Sequence, residues 1–193
     1  MSINMSNVKS ITLGGVSVKK IEDTNGRVLW GGSTTATINL TVGAGQDITT
    51  TQYYNRIVLP SLSTIKSKVA SKTGISQSSI NITKVKLDLS TLYWYNPYDS
   101  NDFRNAKATT SSSVDSGTTV LVSNYTTTKG VHNWIISIED VTNYLGKTLY
   151  GYYKGASGYT AFGNYSSSNS GNFCTSGNST VKPKFTLIVT YES

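Results

Sequence analysis

The stretch Lys84-Val85-Lys86-Leu87-Asp88-Leu89 decides the fold, within a longer run that covers residues 80–95. Charged and apolar side chains alternate along it with a period of two, which indicates a β-strand with one buried face. Residues 37–42 alternate in the same way. Further apolar runs follow at residues 56–59, 120–122, 134–138, 149–153, 159–162 and 184–191. Strands at this spacing predict an all-β protein, a jelly-roll-like β-sandwich.

One short helix interrupts the strands. Leu62, Ile65 and Val69 are separated by three and four residues, which places them on one face of a helix. Ser61 is a suitable N-cap, and Gly74 stands where a helix would end. We therefore expect a short amphipathic helix that covers one mouth of the sandwich.

The composition leaves few charges for the surface. Only 14% of the 193 residues are charged, so Ser, Thr, Asn and Gly supply most of the polar groups. Residues 99–118 and 163–180 are rich in these types and are predicted to be surface loops. The net charge is +7, but Lys and Arg are scattered and form no tract typical of nucleic-acid binding. A basic surface favours an acidic partner, such as a neighbouring subunit or an anionic polymer.

The first residues, the apolar stretches and the cysteine content indicate the cellular compartment in which the chain folds. The first six residues have neither the basic nor the apolar region of a signal peptide. No apolar stretch approaches the roughly 20 residues that span a bilayer. Cys174 is the only cysteine, so no intrachain disulfide can form. We expect a protein that folds in a cytoplasm and does not insert into a membrane.

Residues 1–32 are predicted to form a β-hairpin arm that precedes the sandwich. Gly14-Gly15 and Asn25-Gly26 mark turns between short apolar runs, and Asn-Gly is the strongest short hairpin signal. A two-stranded hairpin is marginal alone, so its apolar side chains need another surface to pack on. The predicted docking residues are Ile21, Val28, Leu29 and Trp30. Residues 33–36 are the predicted linker, and residues 37–193 the sandwich domain.

The C-terminal part resembles the DNRLRE-type carbohydrate-binding sandwich family. Three patterns occur in the order found there: Trp134-Ile135-Ile136-Ser137-Ile138-Glu139-Asp140-Val141-Thr142, then Leu149-Tyr150-Gly151-Tyr152-Tyr153-Lys154-Gly155, then Lys182-Pro183-Lys184-Phe185-Thr186-Leu187-Ile188-Val189-Thr190-Tyr191. The resemblance covers residues 50–193 and implies a jelly-roll sandwich. The resemblance supports the fold more strongly than it supports a sugar ligand, because the acidic residues that line the family's loops are sparse here.

The first thirty residues resemble a different group, the short N-terminal segments of tailed-phage virion proteins. The matching stretches are Val8-Lys9-Ser10-Ile11-Thr12-Leu13-Gly14, Val18-Lys19-Lys20-Ile21 and Val28-Leu29-Trp30. In that group a turn separates two such apolar runs, as Asn25-Gly26 does here. The resemblance implies an arm that docks on a particle.

Candidate catalytic and metal-binding residues are few. His132 is the only histidine, which excludes a site with two histidine ligands, and no sequence pattern marks a nucleophile beside it. Cys174 has no basic neighbour to lower its pKa. Asp99 and Asp102 are weak candidates for Ca²⁺ ligands, and a solvated turn is the alternative. These residues predict no enzymatic activity.

The segment Tyr93-Trp94-Tyr95-Asn96-Pro97-Tyr98 is the most distinctive candidate for a binding surface. In a strand, Tyr93 and Tyr95 share one face and Trp94 takes the other. One face must meet the core, so some of these rings are expected at the surface. Such rings suit a protein interface or the apolar face of a sugar, and plain core packing is the third alternative. We predict that Tyr93, Trp94, Tyr95 and Tyr98 form a contact or glycan surface.

Two functions remain open at this point. The first is a structural protein of a phage particle, in the head (decoration or fibre), the collar or the tail. Its arm docks on the virion and its sandwich projects outward, in reach of host-surface glycans. The second is a carbohydrate-binding module that binds glycans through surface aromatic residues. We expect a virion location, other virion subunits as partners, a homo-oligomer and no cofactor.

Overall fold

A computed structural model of the chain describes residues 11–13, 16–18, 20–22, 28–31, 35–43, 54–99, 104–114, 116–135, 138–155, 158–163, 171–178 and 183–193. Strands dominate these ranges. They are β1 Ile11–Leu13, β2 Val16–Val18, β3 Lys20–Glu22, β4 Val28–Gly31, β5 Thr35–Gly43, β6 Arg56–Val58, β7 Asn81–Asp88, β8 Tyr93–Asn96, β9 Ala106–Thr109, β10 Thr119–Val122, β11 Gly130–His132, β12 Ile138–Asp140, β13 Thr148–Gly155, β14 Gly158–Ala161, β15 Phe173–Cys174 and β16 Lys184–Glu192. The helix α1 spans Leu62–Thr73, and 3-10 turns occupy Gln77–Ser79, Leu89–Thr91 and Thr142–Tyr144.

In the described ranges, the body contains three antiparallel sheets. The four-stranded sheet has the order β12-β7-β16-β5. The five-stranded sheet has the order β10-β9-β13-β14, with β6 also paired to β13. The three-stranded sheet has the order β11-β8-β15. The prediction of an all-β sandwich with one short helix is confirmed, whereas the jelly-roll arrangement of its strands stays a prediction.

The four-stranded sheet buries the face that its alternating sequence predicts. Leu40, Leu187 and Leu87 are aligned across β5, β16 and β7, and all three are buried. Together with Ile65 and Val69 of α1 and apolar residues of the other two sheets, they form one hydrophobic cluster. Burial of a large apolar side chain contributes roughly 1.5–3 kcal/mol, so this cluster is the main source of stability.

Helix α1 begins and ends where the sequence predicts. The Ser61 hydroxyl accepts a hydrogen bond from the Thr64 amide at 3.2 Å, which caps the first turn. Gly74 has φ 76°, a left-handed conformation that glycine adopts without strain, and its amide donates to the Ala70 carbonyl. Ile65 and Val69 are buried as the spacing predicts, whereas Leu62, which the spacing places on the same face, is exposed.

Three predictions of local structure are wrong. Residues 80–95 form two strands in different sheets, because the Asp88 carboxylate accepts from the Ser90 amide at 3.0 Å and holds a 3-10 turn between β7 and β8. The predicted surface loop 99–118 contains β9, which pairs with both β10 and β13. The predicted loop 163–180 contains β15, whose two residues are fully buried.

The strands of the N-terminal segment pair only with one another among the described residues. β1 pairs with β2, and β3 pairs with β4, each as a two-stranded antiparallel sheet. The segment therefore contains two short hairpins where the sequence analysis predicts one. β5, which joins the four-stranded sheet, begins at Thr35, inside the predicted linker of residues 33–36.

Candidate functional site

β8 is the central strand of the three-stranded sheet and carries the candidate aromatic residues. Trp94 is aligned with His132 of β11 on one side and with Phe173 of β15 on the other. Tyr95 is aligned with Val131. Residues directly opposite one another in an antiparallel pair point to the same face. The register therefore places Trp94 on one face of the sheet, and Tyr95 on the other.

Trp94 lies in the core and not at the surface. Its exposed fraction is 0%, and its ring centroid is 5.4 Å from that of His132. Phe173, also fully buried, packs edge-on against Phe162 with centroids 5.1 Å apart. The prediction that includes Trp94 in a contact surface is wrong for this residue, because the hydrophobic cluster takes its whole side chain.

Tyr93 and Tyr95 occupy the opposite face of β8 and are half-buried. Their register partners on that face are Cys174 for Tyr93 and Val131 for Tyr95. Cys174 is fully buried, while Val131 is half-buried like the tyrosines. Tyr93 and Tyr95 thus remain partly accessible on the face of β8 opposite Trp94.

Asn96 fixes the corner at which β8 ends. This residue is fully buried, and its side-chain amide donates to the carbonyls of Tyr98 at 3.0 Å and Thr128 at 2.7 Å. These bonds hold the segment around Tyr98 in place after Pro97. The half-buried Tyr98 ring lies 6.2 Å from that of Tyr153 and carries the Arg104 guanidinium at 4.5 Å from its centroid.

The candidate Ca²⁺ ligands can be located only in part. The Asp99 carboxylate accepts a hydrogen bond from the Lys129 amide at 2.8 Å, so it ties two loops together. Asp102 lies outside the described residues. Within the described ranges, no group of three or more His, Cys, Asp or Glu side chains is placed to hold a metal ion.

His132 and Cys174 have structural surroundings. The His132 Nε2 atom lies 2.9 Å from the Thr128 carbonyl oxygen, and the ring packs on Trp94. Cys174 belongs to β15 and not to a loop as predicted, because its strand pairs with β8. Burial raises the pKa of its thiol to about 12, so the nucleophilic thiolate is scarce near neutral pH.

A second group of aromatic and basic side chains lies on the five-stranded sheet. Its tyrosines belong to an aromatic-rich stretch of the sequence with the same alternatives as the segment 93–98, but the sequence does not indicate that lysines join them. The Lys107 ammonium lies 4.1 Å from the Tyr159 ring centroid, and the Lys154 ammonium 6.0 Å from the same centroid. The Tyr159 hydroxyl donates to the Asn105 side-chain oxygen at 3.2 Å. Lys107 falls in the predicted loop 99–118, so no sequence signal connects it with Tyr159.

The predicted docking residues of the arm are placed by backbone register alone. Ile21 of β3 is aligned with Trp30 of β4, and Val28 is aligned with Glu22. Leu29 lies between them in β4. Their side chains are outside the described part of the structure.

Comparison with models of protein families, with curated proteins and with solved structures gives no match. In the described ranges, no helix has the length and apolar character that crossing a membrane requires. The function of the chain is therefore inferred from its own residues and their geometry.

Proposed function

We propose that the chain is a non-catalytic structural component of a tailed-phage particle, in which the N-terminal arm docks on the virion and the sandwich projects outward. The observation that carries the proposal is the pairing of the arm. Among the described residues, β1 to β4 form two separate two-stranded sheets, and none of them extends a sheet of the body.

Hairpins of this size are poor candidates for independent stability. Their strands have three or four residues each, and an isolated two-stranded hairpin is marginally stable at best in water. The body has its own hydrophobic cluster from three sheets and α1. A second protein surface would supply a partner on which the apolar residues of the arm can pack. The resemblance of residues 8–30 to virion segments supports a particle as that surface.

Removal of the arm is the direct test. We expect a variant without residues 1–33 to keep the thermal midpoint of the body and to be lost from particles banded in a density gradient after expression in infected cells. Trp30→Ala should weaken attachment in the full chain, because burial of one large apolar side chain contributes roughly 1.5–3 kcal/mol, about tenfold or more in affinity.

A matched control is Ser17→Ala in β2, which removes only a hydroxyl from the same arm. This variant should incorporate as the unchanged chain does. Full incorporation of the truncated chain would contradict the docking proposal, and so would equal losses for Trp30→Ala and Ser17→Ala.

A carbohydrate-binding module is the second candidate function. The observation in its favour is that Tyr93 and Tyr95 are half-buried on the outer face of β8, with Tyr98 at the strand end. Aromatic rings stack on the apolar faces of sugars, and nearby Asn and Ser side chains can bond hydroxyl groups. The two functions are compatible, because a projecting sandwich on a particle is in reach of host glycans.

A further inference from the structure

The outer face of the five-stranded sheet gathers basic and aromatic side chains. On β13, Leu149 and Tyr153 point to the core and are buried, so Tyr150 and Lys154 point outward. The register adds Arg56, which is aligned with Tyr150, and Lys107, which is aligned with Tyr152. Tyr152 is on the same face but is buried, and its hydroxyl donates to the Ser111 carbonyl at 2.8 Å. All of these except Tyr152 are half-buried and so remain partly accessible.

Two lysines converge on one ring at this face. Lys107 on β9 and Lys154 on β13 both approach Tyr159 of β14, at 4.1 and 6.0 Å from the ring centroid. Lys154 is directly opposite Tyr159 in the register. A cation held over an aromatic ring within about 6 Å is attracted by the ring, so Tyr159 fixes the position of both ammonium groups. The hydrogen bond from Tyr159 to Asn105 fixes the ring in turn.

Charge is divided unequally between the sheets of the sandwich. The strands of the five-stranded sheet contain Arg56, Lys107 and Lys154 and no acidic residue. Every acidic residue in a strand of the three body sheets belongs to the four-stranded sheet, at Asp88, Glu139, Asp140 and Glu192. One of these, Asp140, faces Lys84 at 3.5 Å. The strands of this sheet thus offer no carboxylate to Lys107 and Lys154, which favours an anionic ligand for these two lysines.

We propose that the outer face of the five-stranded sheet binds an acidic polysaccharide. The Lys107 and Lys154 ammonium groups would meet the carboxylate or sulfate substituents, and the half-buried residues Tyr150 and Tyr159 would contact the sugar rings. This inference goes beyond the docking of the arm and does not depend on it, because it concerns a different surface of the chain.

Other anionic polymers match this face less well. Single-stranded nucleic acids bind through bases that stack on open ring faces, and the Lys107 ammonium already lies over Tyr159. Duplex nucleic acids gain affinity with the number of phosphates contacted, and the strands of this sheet offer three cations. An acidic polypeptide has the negative charge, but it has no sugar rings that could pack against the tyrosines.

The experiment compares four polymers on the full chain by titration at low salt: dextran sulfate, neutral dextran, polyglutamate and oligo(dT). We expect dextran sulfate to bind most tightly and neutral dextran not to bind. The double variant Lys107→Gln/Lys154→Gln should weaken dextran sulfate binding about tenfold or more, with a shallower salt dependence, because two charge contacts are lost.

The matched control is Lys86→Gln/Lys184→Gln, which makes the same change in net charge on the outer face of the four-stranded sheet. It should change dextran sulfate affinity less than about twofold, as expected for charges outside the contact. The thermal midpoint of each variant is measured to verify folding. The proposal is overturned if dextran sulfate does not bind, if polyglutamate or oligo(dT) binds equally well, or if both double variants lose affinity equally.

Discussion

Gly151 should be one of the least replaceable residues of the body, because its missing side chain makes room for a ring. A Cβ atom at this position would lie 2.1 Å from Cδ2 of Phe162 and 2.4 Å from Cε2. Ordinary contacts between carbon atoms are about 3.5–4.0 Å, so the ring would have to move by more than about 1 Å. Phe162 is buried, and its amide donates to the Gly151 carbonyl at 2.8 Å, which holds the two residues together.

The ring of Phe162 has little space on its other side. Phe173 meets it edge-on at 5.1 Å, and Tyr153 stacks near it at 6.4 Å. A Cβ atom at Gly171 would also approach the ring, at 3.0 Å from Cδ1. Forcing extra carbon into a packed core costs about 1–3 kcal/mol and occasionally more. We expect Gly151→Ala to lower the free energy of unfolding by about 3 kcal/mol, at the upper end of that range.

Gly155 offers a matched control in the same strand. A Cβ atom there would meet Nη1 of Arg104 at 2.8 Å, which is the end of a flexible side chain that can move aside. Gly→Ala in a strand is otherwise favourable by roughly 0.5–1 kcal/mol. Urea unfolding followed by tryptophan fluorescence should therefore give a much larger loss for Gly151→Ala than for Gly155→Ala, which should stay within about 1 kcal/mol of the unchanged chain.

A double-mutant cycle identifies the ring as the cause. Phe162→Ala removes the ring and should cost about 3–5 kcal/mol by itself. In that background the added Cβ atom of Gly151→Ala has no ring to meet, so the free energy of unfolding should hardly change. This would be a strong departure from additivity. Phe162→Leu serves as a milder background if the alanine variant does not fold. Additive losses, or equal losses for Gly151→Ala and Gly155→Ala, would refute the packing argument.

Three further predictions concern the three-stranded sheet and Tyr98, which lies just beyond the end of β8. Because burial raises the pKa of Cys174 to about 12, a thiol reagent should label it far more slowly in the native chain than in urea; equal rates would contradict the burial. This raised pKa also means that stability falls as pH rises above the ordinary value of 9.0, and Cys174→Ser should reduce that loss. Tyr95→Ala/Tyr98→Ala should reduce particle assembly or glycan binding by more than it reduces the free energy of unfolding. A folding defect with normal binding per folded molecule would show that these rings are core.

The helix and the strand alternation were predictable because their signals are local. Ser61 and Gly74 bracket twelve helical residues, and each acts through the backbone within one turn of its own position. The alternation in residues 84–88 likewise follows from neighbours two residues apart. The sequence pattern does not reveal β9, because its buried residues Ala106 and Ala108 have side chains too small to give a clear hydrophobic alternation. Only pairing with β10 and β13 makes that segment a strand.

For the candidate sites, strand alternation is enough to assign residues to the same face, whereas packing between the sheets establishes which face is buried. Alternation along β8 places Trp94 on one face of the strand and Tyr93 and Tyr95 on the other, so both faces carry large rings. Packing against Phe173 and His132 decides that Trp94 is the core residue.

The cluster of Lys107, Lys154 and Tyr159 depends still more on the tertiary structure. Its members stand on three strands, and Lys107 is some fifty residues away from Tyr159 along the chain. Strand register brings them to one ring. The contact of Phe162 with Gly151 arises in the same way, because the pairing of β13 with β14 brings Phe162, the residue after β14, next to Gly151. A sequence fixes contacts within a turn or a strand through local backbone geometry, whereas contacts between distant strands depend on the register that the whole core selects.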